Sequence, residues 1–383
     1  MAKGNSAPFS SEVLLYADSE SNADMLYFGG VFVPDPFIAF SCKGRRVAVV
    51  SQLEFARVGM EGRFDEVISL EEASEMAGRK ATRFSAHPAG LIAFLAWKYR
   101  IPAFRIAPDF PVRPAFALKE LGIRLEIAED LLFPERERKT DEEARFIREG
   151  NAASAAGFRV VEKLLREAEI RRGFLHHGGG RLTSERMREA IAVECLKRGA
   201  VASRVIVAAG DQACDPHCVG HGPLRANELV IVDIFPRVAR TGYHGDMTRT
   251  YLKGRASEAQ KALYQTVYEA EQTALGEHRA GRSGSAIYKR VRAFFSRRGY
   301  PTRRENGVPV GFIHGLGHGL GLEVHEPPRV NQGGTRLKTG QVITVEPGLY
   351  YPGLGGARVE DVVRVSGKGP ELLSKHPYRW RIR

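Results

Sequence analysis

Residues 312–326 read Phe-Ile-His-Gly-Leu-Gly-His-Gly-Leu-Gly-Leu-Glu-Val-His-Glu, placing three of the chain's eleven histidines (His314, His318 and His325) within twelve positions. Glycines separate them, so the backbone can come close to whatever the imidazoles hold. Four carboxylates flank this segment in strand-like surroundings: Asp233 and Asp246 before it, Glu346 and Glu360 after it. Neutral imidazole with several carboxylates is a ligand set for divalent metal. Leu229-Val-Ile-Val-Asp233 ends an apolar strand in an acid, a costly place for a charge unless it is paired or on metal. Val342-Ile-Thr-Val-Glu346 repeats the pattern. In Arg358-Val-Glu360-Asp361, the period of two puts Arg358 and Glu360 on one face and Asp361 on the other. Each acid has a plainer reading: Asp233 caps a turn, Asp246 pairs with Arg249, and Arg358 and Glu360 form a surface pair. Four acids at strand positions around one Gly/His segment favour metal over the sum of these.

Other chemistries fit less well. Leu320 stands where a GxGxxG fingerprint needs its last glycine. His325-Glu326-Pro327-Pro328 is no zincin helix, because its prolines forbid one. No GxSxG elbow or Walker loop occurs. Cys214 and Cys218 flank His217, but a single Cys-x3-Cys without a second pair reads as free thiols near a loop. Four cysteines in 383 residues give no disulfide framework.

The elements that must position these residues are legible in outline. Val47–Val50 and 102–107 read as strands and 88–99 as a helix, giving residues 1–135 an α/β texture. Pro134 to Lys139 reads as a linker. Thr140-Asp-Glu-Glu143 is a capping box opening a long helix to about residue 170. Thr183 or Ser184 opens a second helix, stopped at Gly199, and 257–279 and 285–298 read as two more. Strands are expected at Arg204–Ala208, Leu229–Asp233, Met247–Leu252, Val342–Pro347 and Ala357–Val365. Helices and hairpin-type strands without βαβ regularity predict an α+β second domain.

Length alone suggests two domains or more. No apolar run reaches the roughly 18 residues of a membrane helix, and no secretory signal opens the chain, so a cytoplasmic location is expected. The net charge of +12 comes from dispersed Arg and Lys, often beside Glu, so nucleic-acid binding is not expected.

With these residues in place, 140–383 resembles the pita-bread metallopeptidases, which include methionine aminopeptidases, Xaa-Pro aminopeptidases and prolidases. The family's ligand order of Asp, Asp, His, Glu, Glu is matched by Asp233, Asp246, His318, Glu346 and Glu360. The Xaa-Pro branch's spaced histidines are matched by His314, His318, Gly321 and His325. Glu346-Pro-Gly-Leu-Tyr and Arg358-Val-Glu360-Asp361 also look like that branch. Residues 1–135 are similar by position and texture to its creatinase-like N-terminal domain. The resemblance implies two divalent ions (Mn, Co, Zn or Fe), with Asp246 and Glu360 bridging, Asp233 completing one site and His318 and Glu346 the other. A water between the ions would attack the scissile carbonyl. Glu346 would act as general base, His325 and His217 would contact the substrate, His314 would orient the site, and Arg358 would anchor carboxylates or substrate. The implied activity is an Xaa-Pro aminopeptidase acting on peptides with proline second. The alternatives are an Xaa-Pro dipeptidase (prolidase) or a non-catalytic pita-bread binding protein. A homodimer is expected on the same ground.

The chain departs from the family at one place. Asp233 and Asp246 are thirteen residues apart, two more than is usual, and Ile234–Tyr243 lacks the customary small residue two places after the first Asp. An insertion of two keeps hairpin parity, so a lengthened hairpin with both acids on one side is expected, with His244 exposed on it.

Overall fold

The computed structural model describes residues 11–79 and 88–383, and the chain divides into two compact units, Met1–Arg136 and Glu137–Arg383. The first is built on a six-stranded mixed sheet, ordered Glu66–Ser69, Arg45–Val50, Phe37–Cys42, Glu12–Ala17, Ala103–Ile106, Arg124–Ile127. Alternation along the strands sorts apolar residues to two faces. Leu14, Ile38, Phe40, Val47 and Val49 share a core with the helix Pro88–Tyr99. Val13, Leu15, Phe37, Ala39, Ala48 and Val50 share another with Met25 and Phe28 of the helix Ala23–Gly29.

In the second unit, one sheet is ordered Ile206–Ala209, Val230–Ile234, Met247–Lys253, Arg381–Ile382. A second runs Glu326–Val330, Gly317–Gly319, Val342–Val345, Asp361–Arg364, Glu371–Leu372, and Gly348–Tyr351 pairs with Gly355–Arg358. The helix Asp141–Glu167 begins at the expected capping box: Glu143 N donates to Thr140 Oγ1, and Thr140 N to Glu143 Oε2. Together with Ser184–Lys197 it covers the first sheet, burying Phe158, Val161, Met187 and Ile191 against Val230, Val232, Ile234, Met247 and Tyr251. The helices Glu258–Glu277 and Gly284–Arg297 cover the second, with Leu263, Val267, Ile287 and Phe295 against Ile343, Val345 and Val363. Helices and antiparallel hairpins mix as an α+β domain should. Among the described residues, no helix is long and apolar enough to cross a membrane.

One expected strand is two. Ala357–Val365 splits into Gly355–Arg358 and Asp361–Arg364, because Glu360 N leaves the sheet to donate to Thr248 O at 3.1 Å. Glu360 thus sits where the chain crosses toward the first sheet.

Candidate metal centre

The two aspartates face one side of a hairpin. Its register pairs Asp233 with Thr248 and Ile234 with Met247, so Asp246 lies on the face shared by Asp233 and Thr248. Their neighbours Val232, Ile234 and Met247 point the other way into the helix-covered core. The helix Asp141–Glu167 fixes the hairpin from that side. A Cβ on Gly150 would lie 2.3 Å from Gly245 N, so backbone meets backbone there. Next to this contact Asn151 Oδ1 accepts from Asp246 N at 2.8 Å, and Ser154 Oγ donates to Ile234 O at 2.8 Å. Asn151 is 1% exposed. Asn151→Ala would leave the Asp246 N–H without its partner, and should cost about 2 kcal/mol of stability. The shift in denaturant midpoint measures this, and an unmoved midpoint would mean the bond contributes nothing.

The Gly/His segment supplies the imidazoles. Gly317–Gly319 lies between Glu326–Val330 and Val342–Val345, and His318 N donates to Thr344 Oγ1 at 3.1 Å. The His318 Nδ1 faces Gly319 O at 3.2 Å, which assigns the proton to Nδ1 and leaves the Nε2 lone pair free. That Nε2 lies 3.7 Å from Asp246 Oδ2 and 3.4 Å from Glu346 Oε1. His314 stands one step back. Its Nδ1 faces Gly315 O at 2.7 Å and its Nε2 the Tyr350 hydroxyl at 2.8 Å, while Arg358 Nη1 donates to that hydroxyl at 3.0 Å. The His325 ring meets His318 edge-on with centroids 4.3 Å apart.

The last segment brings Arg358 and Glu360. Thr248 Oγ1 donates to Glu360 Oε2 at 2.7 Å, and Thr250 Oγ1 to Arg358 O at 2.8 Å. Arg358 Nη2 donates to Asp233 Oδ2 at 2.7 Å. The plainer pairings therefore do not form. Arg358 is buried on Asp233, and Arg249 pairs with Asp361 on the opposite face, with two contacts of 3.1 Å.

A cavity of about 1200 Å3 opens over these groups. Asp233, Asp246, His314, His318, Glu346, Arg358 and Glu360 line it, with His217 and His325 exposed on its walls. Burial, with Glu360, Asp233 and Glu346 nearby, holds the Asp246 carboxyl well above its ordinary range. Glu360 is raised by burial and by Glu346 and Asp233, and Glu346 is pushed up to about 7, chiefly by burial. Burial brings His318 and His314 down to about 3, so both are neutral bases. Buried carboxylates that resist ionising together can all be charged only beside a cation. Asp233 Oδ1 is buried with no hydrogen-bond partner, and one ligand atom each from Asp246, His318 and Glu360 lie within 4.8 Å of one another. Oxygen and imidazole donors with these unsatisfied atoms fit divalent metal.

Residues 145–367, more than half the chain, match metallopeptidase family M24. The chain belongs to that family. An Xaa-Pro dipeptidase from Pyrococcus furiosus is 37% identical over 172 residues, 44% of this chain and 47% of that protein. The Xaa-Pro dipeptidase of Pyrococcus horikoshii is 36% identical over 172 residues, with 44% and 46% covered. The aligned part thus spans about half the length of these relatives. Among solved structures, a Pyrococcus furiosus prolidase superposes with TM-score 0.76 at 23% identity, covering 96% of this chain and 97% of that one. A Thermotoga maritima X-Pro aminopeptidase superposes with TM-score 0.78 at 22% identity and 97% coverage of both. The M24 chain has the pita-bread fold of the Xaa-Pro branch, with an N-terminal domain ahead of it.

Two features of the M24 site differ from, or escape, the sequence reading. His244 is not exposed. It lies on the site face of the hairpin, its N–H donates to Gly321 O at 2.9 Å, and its Nδ1 is buried without a partner. The Gly321 loop covers it, and burial lowers its pKa to about 4. Arg329 belongs to no motif that marks it in the sequence. It pairs across strands with His318, lines the cavity and is exposed there. The only local signal for it was a charge in the strand Glu326–Val330, which could as well be a solvated residue.

Proposed function

We propose that the protein is a metal-dependent Xaa-Pro dipeptidase. The observation that carries this is one cavity presenting, on one side, four carboxylates and His318 and, across a strand pair from His318, the guanidinium of Arg329. Sequence reasoning leads with the aminopeptidase. The Pyrococcus relatives are Xaa-Pro dipeptidases, and Arg329 offers a counter-ion for the free carboxylate of a dipeptide. A tripeptide would carry that carboxylate roughly 3.5 Å further along the chain.

Two divalent ions would be held by Asp233, Asp246, His318, Glu346 and Glu360. When bound, they supply an activated water and polarise the scissile carbonyl. The chain's own groups do the rest. Glu346, at the cavity edge beside His318, takes the proton from the attacking water and passes it to the leaving proline nitrogen. His217 and His325 stand on the walls to donate to the carbonyl oxygen as charge develops on it. Arg358 holds Asp233 through Nη2, and through Tyr350 it fixes the His314 ring.

Metal-stripped protein tests this, with Mn or Co returned, on an Xaa-Pro dipeptide and the matching Xaa-Pro-Yaa tripeptide. The expected result is restored cleavage of the dipeptide, with the tripeptide slower by about tenfold or more for the misplaced carboxylate. Preference for the tripeptide would make the protein an aminopeptidase. Cleavage of neither would make it a binding protein.

A further inference from the structure

The hairpin that carries both aspartates places a phenylalanine among them. Its pairing continues past the regular strands in a single register: Ile234 stands opposite Met247, Gly245 N donates to Pro236 O at 2.9 Å, and Arg237 bridges to His244. Phe235 therefore stands opposite Asp246, and alternation sends its side chain out on the face of Asp233. Directly opposed residues on one face of an antiparallel pair have Cβ atoms roughly 5 Å apart, so ring and carboxylate are neighbours. The ring is half-buried and lines the same cavity as Asp246, His318 and His325. On the other side of Asp233, its register partner Ile206 also lines the cavity. The acids at this end are thus framed by apolar walls.

A dipeptide is a cation and an anion on a short tether. The carboxylate cluster with its ions takes the scissile carbonyl, and Arg329 takes the carboxylate. The first side chain leaves from the carbon next to that carbonyl, so it lies beside the acids, where Phe235 is. We propose that Phe235 is a specificity-determining residue. Its ring forms the wall met by the first side chain of the substrate and selects dipeptides that begin with an apolar residue. This deepens the dipeptidase reading and rests on it. The physical basis is that an apolar side chain covers the exposed part of the ring and is removed from water with it. Glycine covers nothing there. An acidic side chain would lose hydration against the ring without gaining a partner.

The test compares kcat/KM of the Mn-loaded enzyme on Gly-Pro, Ala-Pro and Leu-Pro, in wild type, Phe235→Ala and Phe235→Leu. Wild type should favour Leu-Pro over Gly-Pro by about tenfold or more, the scale of apolar discrimination in a pocket. In Phe235→Ala that ratio should collapse toward unity, and in Phe235→Leu most of it should survive, because an apolar wall remains. A ratio unchanged or increased in Phe235→Ala overturns the assignment while leaving the dipeptidase reading intact. Should the alanine variant fail to fold, a wild-type series that is flat or falls from Gly to Leu overturns it equally. Wild-type cleavage of none of the three would overturn both readings together.

Discussion

Glu346→Gln should lower kcat/KM on an Xaa-Pro dipeptide by about a thousandfold, within the range of losing a positioned general base. Glu346 is half-buried at the cavity edge, its Oε1 3.4 Å from His318 Nε2 and its Oε2 3.9 Å from His314 Nδ1. Glutamine keeps the shape and one acceptor but cannot take up a proton. The substitution should leave the fold of the metal-free protein intact, because it removes a charge from a cluster whose members resist ionising together. Steady-state kinetics beside a denaturation curve separates these effects. A loss smaller than about tenfold would show that the proton moves through another group.

Gly317→Ala should be as damaging to the fold as Glu346→Gln is to the chemistry. A Cβ at position 317 would lie 1.9 Å from the carbonyl oxygen of Thr344, in the neighbouring strand that leads to Glu346. Backbone cannot yield as a side-chain tip can, so the strands must part. The expected cost is about 3 kcal/mol, the upper end for overpacking, and His318 would move with its strand. Gly315→Ala is the control: the nearest atoms to its Cβ are 3.5 Å away, an ordinary contact, and its denaturant midpoint should barely move. Equal midpoints for the two variants would contradict the close-approach argument.

The glycines show where sequence reading succeeds and where it stops. Their pattern rightly announces backbone at close quarters, and at Gly317 and Gly319 the close partner is a neighbouring strand. Gly317 meets Thr344 O and Gly319 meets Pro327 O. Local signals were sufficient for elements. Capping boxes begin the helices at Asp141 and Glu258, and the alternation of Val230–Ile234 turns Asp233 away from the apolar core. Parity alone foretold that the hairpin could keep both aspartates on one face. Partnerships between distant residues carry no such signal. Arg358 binds Asp233, 125 positions away, instead of Glu360 two positions on, and Arg249 takes Asp361 at 112 positions instead of Asp246. His244 was misjudged for the same reason, because its cover comes from the remote Gly321 loop. Arg329 owes its place beside His318 to strand register, which no local pattern reveals.

The most direct measurement is the number of divalent ions bound by the protein after stripping, loading with Mn and exhaustive desalting, for wild type and His318→Ala. Two ions per chain in wild type, falling to one or fewer in His318→Ala with the fold preserved, is the result that this arrangement of Asp233, Asp246, His318, Glu346 and Glu360 predicts. Wild-type protein that retains no ion, or a His318→Ala variant that retains as many as wild type, would contradict it.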